Sequence, residues 1–428
     1  MSSSGAQLSP SELAGVNAAI ADTLTVSAER MFQQYEDPKL QTFAVKSTPA
    51  WADPAGWQIR LLSPDRTTIV GTKNGATGLQ IGTSLDGITW TSHYTWTPGS
   101  APTTDHNAEA MRFLSTGELL VATSASGGYR GAVWRSTGWP ANPATATWTR
   151  VYQSPFAQLS SVPSGSYGGL AYDGAQTILA AWYGPQANTT TAVTAAGLYV
   201  RKSTDNGTTW ADTFNLDTYL TARGIDTDGL ASPNGYHVHS VAYDRHWNAW
   251  WLAFGDASGG GNCGHLYSLD GGATWQTAYF GSGPWQSVTI YPTLDAILFM
   301  GDGGEASGIT RLGRDPLTRG AHDPAFTHAY TVASNNTIGM GGSRNDYAGG
   351  WTIMAMTQIT GTDRVSRLIG TVDGTNFHNL YIDATYTVTG TSGFRQVVGP
   401  TAAGKILASS VNDGRYANAV STLTLDAA

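Results

Sequence analysis

Ser203, Asp205, Gly207, Thr209 and Trp210, in the run STDNGTTW, recur at identical spacing as Ser268, Asp270, Gly272, Thr274 and Trp275 in SLDGGATW. A shortened copy, SLDGITW, spans Ser84 to Trp90, and an eroded one, TVDGTNF, spans Thr371 to Phe377. Each copy follows an apolar run rich in β-formers. Such repetition restricts the chain to architectures in which one small unit is copied, because a single unit cannot bury its own apolar face. The chemistry of the octad indicates its part in each unit. The Asp carboxylate folds back onto nearby backbone N–H groups and the following Gly supplies a positive φ, which makes a tight turn between two strands. The closing Trp is an aromatic anchor for the core of the sheet.

The spacing of the octads gives the size of the unit. Trp90, Trp148, Trp210 and Trp275 are separated by 58, 62 and 65 residues, and Phe377 lies 102 further on, about two units. Periods of this length with several strands each fit a β-propeller. The second unit keeps its strands and Trp148 but loses the Asp, and the fifth has lost the octad entirely. Six complete units begin near Ile59, Glu109, Tyr167, His237, Trp285 and Thr337, each with two apolar strands, a third ending at the octad and a short fourth. FRQVVG, KILASSV and ANAVSTLTL then form three strands without a fourth, while LQTFAVKST, ahead of the first unit, is a strand without a blade. Pairing that N-terminal strand with the C-terminal three closes the ring and removes the exposed edges. The expected fold is all-β, a β-propeller of seven blades, with six as the alternative.

The octads resemble the Asp-box, or BNR repeat, of sialidases and related propellers. In that family the boxes are structural turns on the blades, away from the ligand pocket, so the resemblance implies a scaffold before it implies a reaction. A sialidase would add three arginines that clamp a carboxylate, a Tyr nucleophile activated by Glu, and an Asp acid/base. Here QIRLL offers Arg60 in a comparable strand, but with Ile before it and Leu after it. Arg112, Arg344 and Arg395 stand in no recognisable clamp context. The stretch HVHSVAYDRHWNAWWLAFGD is similar to a segment of uncharacterised Asp-box proteins in which His-x-His opens a blade.

Composition narrows the partners. Only 13% of the 428 residues are charged and the formal net charge is −8, which argues against a nucleic-acid partner, since that would need a basic stripe. A surface dominated by Ser, Thr, Asn and Gly suits neutral polar ligands such as sugars. Cys263 is the only cysteine, so no intramolecular disulfide forms. The N-terminus, MSSSGAQLSPSELAG, lacks the basic and apolar regions of a Sec signal peptide, and no apolar run reaches the roughly 18 residues of a membrane span. Cytoplasmic synthesis is expected, without membrane insertion.

Residues 1–38 differ from the propeller expected over 39–428. Ser9 as cap, Pro10 in the first turn and Glu12 three after the cap start a helix. Leu13, Val16, Ile20, Leu24, Ala28, Met31 and Tyr35 lay one apolar stripe along it, and Pro38 ends it. The stripe either packs on the propeller's flank or docks on a partner, including another copy of the chain.

In a propeller the innermost strands converge on a central funnel whose mouth forms the usual pocket. Aligning the units places Trp57 with Gln58 and Arg60, His106 with Glu109, Tyr167, His237 with His239, Trp285 with Gln286, and Arg344 with Asp346 near that mouth. Loops after second strands add Tyr183, Asp256, Asp302 and Glu305. From this set Trp57, Arg60, Tyr167, His237, His239, Trp285 and Arg344 are the candidate ligand-binding residues, suited to hold a sugar by stacking and hydrogen bonding. His237 and His239, two apart on a strand, are expected on one face, and with Asp256 they could bind a divalent metal through two imidazoles and a carboxylate. No third His or Cys has ligand spacing beside them, so neither metal nor cofactor is expected. Glu109, Asp256 and Asp302 are the candidate catalytic carboxylates, since two at a suitable separation serve a glycosidase. Ordinary turn chemistry accounts equally for the Asp residues of GDASGG and GDGGE.

The reading that covers most of the chain is a carbohydrate- or receptor-binding propeller fixed to a larger assembly. A β-rich chain without a recognisable export signal, with a polar surface and an N-terminal docking helix, looks like a bacteriophage tail-associated or host-recognition protein. That likeness implies a virion location, a cell-surface glycan or receptor as ligand, and other tail proteins as partners of the helix. The alternatives are a sialidase-like glycoside hydrolase and a structural decoration protein.

Overall fold

Seven four-stranded antiparallel sheets follow one another along the chain. The structure is a computed structural model that describes residues 50–426 except 76–77, 97–107, 124–131, 140, 154–168, 182–198, 224–236, 256–262, 282–285, 302–307, 316, 332–336, 345–351, 361–362, 372–373, 388–392 and 412–419. The expected N-terminal helix and the run LQTFAVKST lie outside the described residues.

Blade 1 comprises Gln58–Leu62, Ile69–Gly75, Gly78–Ser84 and Thr91–Trp96, and blade 2 comprises Ala108–Phe113, Leu119–Thr123, Ala132–Thr137 and Thr147–Gln153. Blade 3 runs through Leu170–Tyr172, Ile178–Ala181, Tyr199–Ser203 and Ala211–Asn215, and blade 4 through His237–Asp244, Ala249–Gly255, Cys263–Ser268 and Gln276–Gly281. Blade 5 holds Ser287–Pro292, Ala296–Gly301, Gly308–Arg314 and His322–Thr331, and blade 6 holds Thr337–Arg344, Thr352–Thr360, Asp363–Thr371 and His378–Thr387. In blade 7, Gly393–Val398, Lys405–Val411 and Val420–Asp426 are completed by Ala50–Ala52, which pairs Trp51 with Leu423. The first strand of every blade touches the first strand of the next, and blade 7 returns to blade 1, so the first strands are the inner ring. Seven blades and closure by an N-terminal strand are as the sequence led one to expect. The closing strand is Ala50–Ala52, just beyond LQTFAVKST.

The core is divided among the seven blade junctions, with one cluster of buried apolar side chains between each neighbouring pair. A blade is therefore buried on both faces, which explains second strands as uniformly apolar as AWWLAFG at Ala249–Gly255, where every residue is buried. Leu252 and Phe254 face blade 3 while Trp251 and Ala253 face blade 5, the period-two alternation of a strand. One element was not anticipated. A short helix, Leu216–Thr221, is capped by the Asn215 side chain on the Thr218 N–H and buries Leu216 and Leu220 between blades 3 and 4.

The octads form the turns between third and fourth strands. In STDNGTTW the Gly207 N–H donates to Ser203 Oγ at 2.8 Å, Thr209 N–H and Oγ1 donate to Asp205 at 2.8 and 2.6 Å, and Trp210 Nε1 donates to the Gly207 carbonyl at 3.0 Å. SLDGGATW repeats the pattern, with Gly272 on Ser268, Thr274 on Asp270, and Trp275 Nε1 on the Gly272 carbonyl at 3.2 Å. SLDGITW does the same around Ser84, Asp86 and Trp90. The eroded copy keeps the Gly374 N–H on Thr371 Oγ1 at 3.0 Å.

Each turn also reaches the preceding blade at one equivalent place. A Cβ at Gly87, Gly207, Gly272 or Gly374 would meet Leu407, Leu120, Leu179 or Leu298, all on the second strand of the blade before. The octad is thus a joint as well as a turn. Blades without it use other joints. In blade 2, buried Trp139 fills the layer against blade 1, edge-on to His93. In blade 5, buried Arg314 forms an ion pair with buried Asp244 of blade 4 and donates to the Leu294 carbonyl, while Trp247 Nε1 donates to the Asp315 carbonyl.

Candidate functional site

Third strands run parallel to first strands, so the octads share a face with the ends of the inner strands. The inner strands begin, and second strands end, on the opposite face, where the sequence places the candidate pocket. The octad carboxylates are engaged within their turns. Burial works to raise the Asp205 carboxyl, but the Thr209 hydroxyl and N–H, the Ser203 hydroxyl and the Thr208 N–H outweigh it and bring it down to about 2. Asp270 is held at about 2 in the same way, burial being overcome by Thr274, Ser268 and the Ala273 N–H. Acceptors so saturated and so acidic are turn-formers, unsuited to proton transfer near neutrality.

A feature absent from the sequence reading organises the opposite face. Six inner strands lose register near their start: between Ile59 and Leu61, Ala108 and Ala110, Val238 and Ser240, Ser287 and Thr289, Gly339 and Gly342, and Phe394 and Gln396. The extra residues include Arg60, Glu109, His239, Val288 and Arg395. Bulges re-aim side chains and recur beside binding sites. Here they bring three of the sequence's polar candidates, Arg60, Glu109 and His239, to one structural position around the ring.

Two of these side chains are described in full. Arg60 is buried, its Nε donating to Thr72 Oγ1 at 2.9 Å and its Nη2 to Gln58 Oε1 at 2.8 Å. Its guanidinium is tied to its own blade, an arrangement unlike an arginine held ready for a substrate carboxylate. His239 is fully buried, its Nδ1 lying 3.0 Å from the Ser287 carbonyl oxygen of blade 5. The alternation used to place His237 and His239 on one face is interrupted at the bulge, of which His239 is the extra residue. Trp57 is buried and stacks on the octad residue Trp90, ring centroids 5.2 Å apart and planes 9° from parallel.

For Glu109, His237 and Arg344 the backbone is described, in the inner strands of blades 2, 4 and 6, and the side chains lie outside the described residues. Tyr167, Asp256, Trp285 and Asp302 lie wholly outside them. Gln286, next to Trp285, approaches Gly255, next to Asp256, so closely that a Cβ on Gly255 would lie 2.8 Å from the Gln286 side chain. The ends of blades 4 and 5 thus meet at the mouth.

The sequence reading missed His265. It is fully buried on the third strand of blade 4, with Nε2 2.8 Å from Ser287 Oγ, and its ring lies 4.1 Å from that of Phe299. Ser287 therefore bridges two imidazoles. Desolvation, with a smaller contribution from His239, lowers His265 to about 3 and keeps it neutral. The Ser–His distance has nucleophile-and-base geometry, but both residues are buried within the junction, so the contact acts as packing and hydrogen bonding. The signal was present in the alternating run CGHLYS, where Cys263, His265 and Tyr267 share a face. Among the described residues no group of three His, Cys, Asp or Glu is placed to hold a metal ion.

No protein-family profile matches the chain, and no curated protein does. Similar solved structures include a prolyl endopeptidase at 11% identity and TM-score 0.47, matched over 98% of this chain and 52% of that one. The chain thus spans about half the length of that enzyme. A polysaccharide lyase, described as an ulvan lyase, matches at 9% identity and TM-score 0.46 over 87% of this chain and 93% of that one. An α-L-arabinofuranosidase from Fusarium graminearum matches at 10% identity and TM-score 0.44, over 88% of this chain and 94% of that one. At these identities no activity is carried across to this chain.

Proposed function

We propose that the chain is an Asp-box-type propeller that recognises a cell-surface carbohydrate or receptor through the face opposite its octads. Its setting in this proposal is a bacteriophage tail, where the N-terminal segment fixes it to neighbouring proteins. The observation that supports this most is the contrast between the two faces. On the octad face the octad turns are short and consume their own polar groups. The strand ends on the other face are joined by residues such as 154–169, 182–198 and 224–236, long stretches of Ser, Thr, Gly and Asn punctuated by Tyr and Trp. Long, polar, aromatic-bearing connections on a rigid scaffold are where binding concentrates, and many weak copies on one particle add by avidity.

A glycan array probed with the intact protein tests the reading. Binding to surface polysaccharides of a bacterial host supports it, and a blank array at high protein concentration favours the structural-decoration alternative. The bulge at Glu109 keeps a hydrolase as the second reading. Turnover of a labelled polysaccharide, abolished in both Glu109→Gln and Asp302→Asn, would establish it.

A further inference from the structure

The octad face carries a hollow of its own. The turns that follow the inner strands of blades 3 and 4 enclose a cavity of about 160 Å³ lined by Tyr172, Asp173, Gly174, Tyr243, Arg245 and His246, with Pro292 of blade 5 closing one side. Its volume lies below the roughly 300–1,000 Å³ of pockets that take drug-sized ligands, which limits an occupant to a single ring or an ion. Its walls are preorganised. The Tyr172 hydroxyl lies within 3.1 Å of Ser115 Oγ, the Ala175 carbonyl and Asn206 Oδ1, and accepts the Ser115 N–H. The Tyr243 hydroxyl donates to Asn248 Oδ1 at 2.9 Å. Both rings are thus fixed by bonds made at their tips.

The two charged groups are differently placed. Asp173 spends Oδ1 on the N–H groups of Ala175, Gln176 and Thr177, at 2.8, 2.9 and 3.0 Å. Its second oxygen has no partner among the described residues. Arg245 is exposed and makes no hydrogen bond or ion pair with them. An anion in the cavity would meet the Asp173 carboxylate and a cation would meet the Arg245 guanidinium. A polyol suits both, since its hydroxyls donate to the carboxylate and accept from the guanidinium while its C–H face lies on aromatic carbon.

We infer that this cavity is a binding site for a single neutral hexose unit, held between Asp173 and Arg245 against Tyr172 and Tyr243. The inference rests on the proposal that the protein recognises carbohydrate, and it adds a second site on the opposite face from the long connections. Saturation-transfer NMR on the full chain, with D-glucose, D-galactose and D-mannose as separate probes and inorganic phosphate as competitor, tests it. Transfer to at least one hexose is expected, weakened about tenfold or more in both Arg245→Ala and Asp173→Asn, as befits loss of a hydrogen bond to a charged group. Arg245 is exposed, and Asn retains the Oδ1 that caps the turn, so both variants should melt within a few degrees of the parent. Transfer unchanged in the variants would overturn this site while leaving glycan recognition elsewhere intact. Absence of transfer from all three sugars, or displacement by phosphate, would also overturn it, and array binding would then be judged on its own.

Discussion

A methyl group at Gly207 would sit 2.9 Å from Cδ1 of Leu120, a residue of the preceding blade. At Gly272 the corresponding approach to Leu179 is 3.8 Å, although the two glycines have similar φ, +78° and +86°. Alanine at either position carries the left-handed penalty of about 1–2 kcal/mol. Only Gly207→Ala adds overpacking, of about 1–3 kcal/mol. Denaturant unfolding of the two variants should therefore rank Gly207→Ala as the more destabilised. Equal losses would mean that the octad acts on its own turn and contributes nothing to the joint.

The junction between blades 4 and 5 relies on the Asp244–Arg314 pair, both side chains being fully buried. Asp244→Asn leaves a buried guanidinium without its counter-charge, at a cost of about 3–5 kcal/mol. Replacing both, as Asp244→Leu with Arg314→Met, should recover much of that loss. Urea midpoints for the single and double variants measure it, and a double variant no better than the single would mean that losing the bonds Asp244 Oδ1 accepts from the His246 and Trp247 N–H groups costs as much as the unpaired charge.

Two pH windows follow from the titrating groups. His265, held at about 3 in the folded protein, is protonated near 6.5 once unfolded. Its stabilising contribution is complete above pH 6.5 and declines as pH falls towards 3. Asp205 and Asp270, lowered to about 2, contribute fully above about pH 4 and lose that contribution as pH falls through 2. His265→Gln should flatten stability between pH 6.5 and 4, and Asp205→Asn should flatten it only below 4. Thermal melts across pH 2–7 separate the two effects, and identical slopes in all three proteins would contradict the assignment.

Ring closure pairs Ala50–Ala52 with Val420–Asp426, and the Trp51 side chain adds contacts to it. Trp51 stacks on Phe394 with centroids 5.9 Å apart, and its Nε1 donates to the Tyr381 hydroxyl at 3.3 Å. Removing residues 1–38 should leave the melting temperature nearly unchanged. Removing 1–53 exposes the edge of Val420–Asp426 and should produce aggregation. Light scattering on the two truncations checks this.

The propeller was legible because its signals are local and repeated: octad spacing, period-two alternation and three C-terminal strands that lack a fourth, although the strand that completes them is Ala50–Ala52 and not the run LQTFAVKST. The joint made by the octad was not legible, since the partner of Gly207 lies in another blade and Leu120 looks like any core leucine. The inner-strand bulges were hidden for a different reason. A bulge adds one residue to the count without altering composition, so Arg60, Glu109 and His239 could be picked as polar residues at a mouth, but their common position and the burial of Arg60 and His239 could not. His265 escaped because a single imidazole in an apolar run carries no sign of the serine that meets it.

Hydrogen–deuterium exchange on the full chain, with and without a glycan that binds it, tests most directly the division of labour between the two faces. The account predicts protection in residues 154–169, 182–198 or 224–236, with no change in the octad turns at 84–90, 203–210 and 268–275. Protection confined to the octad face, with the long connections unaffected, would contradict it.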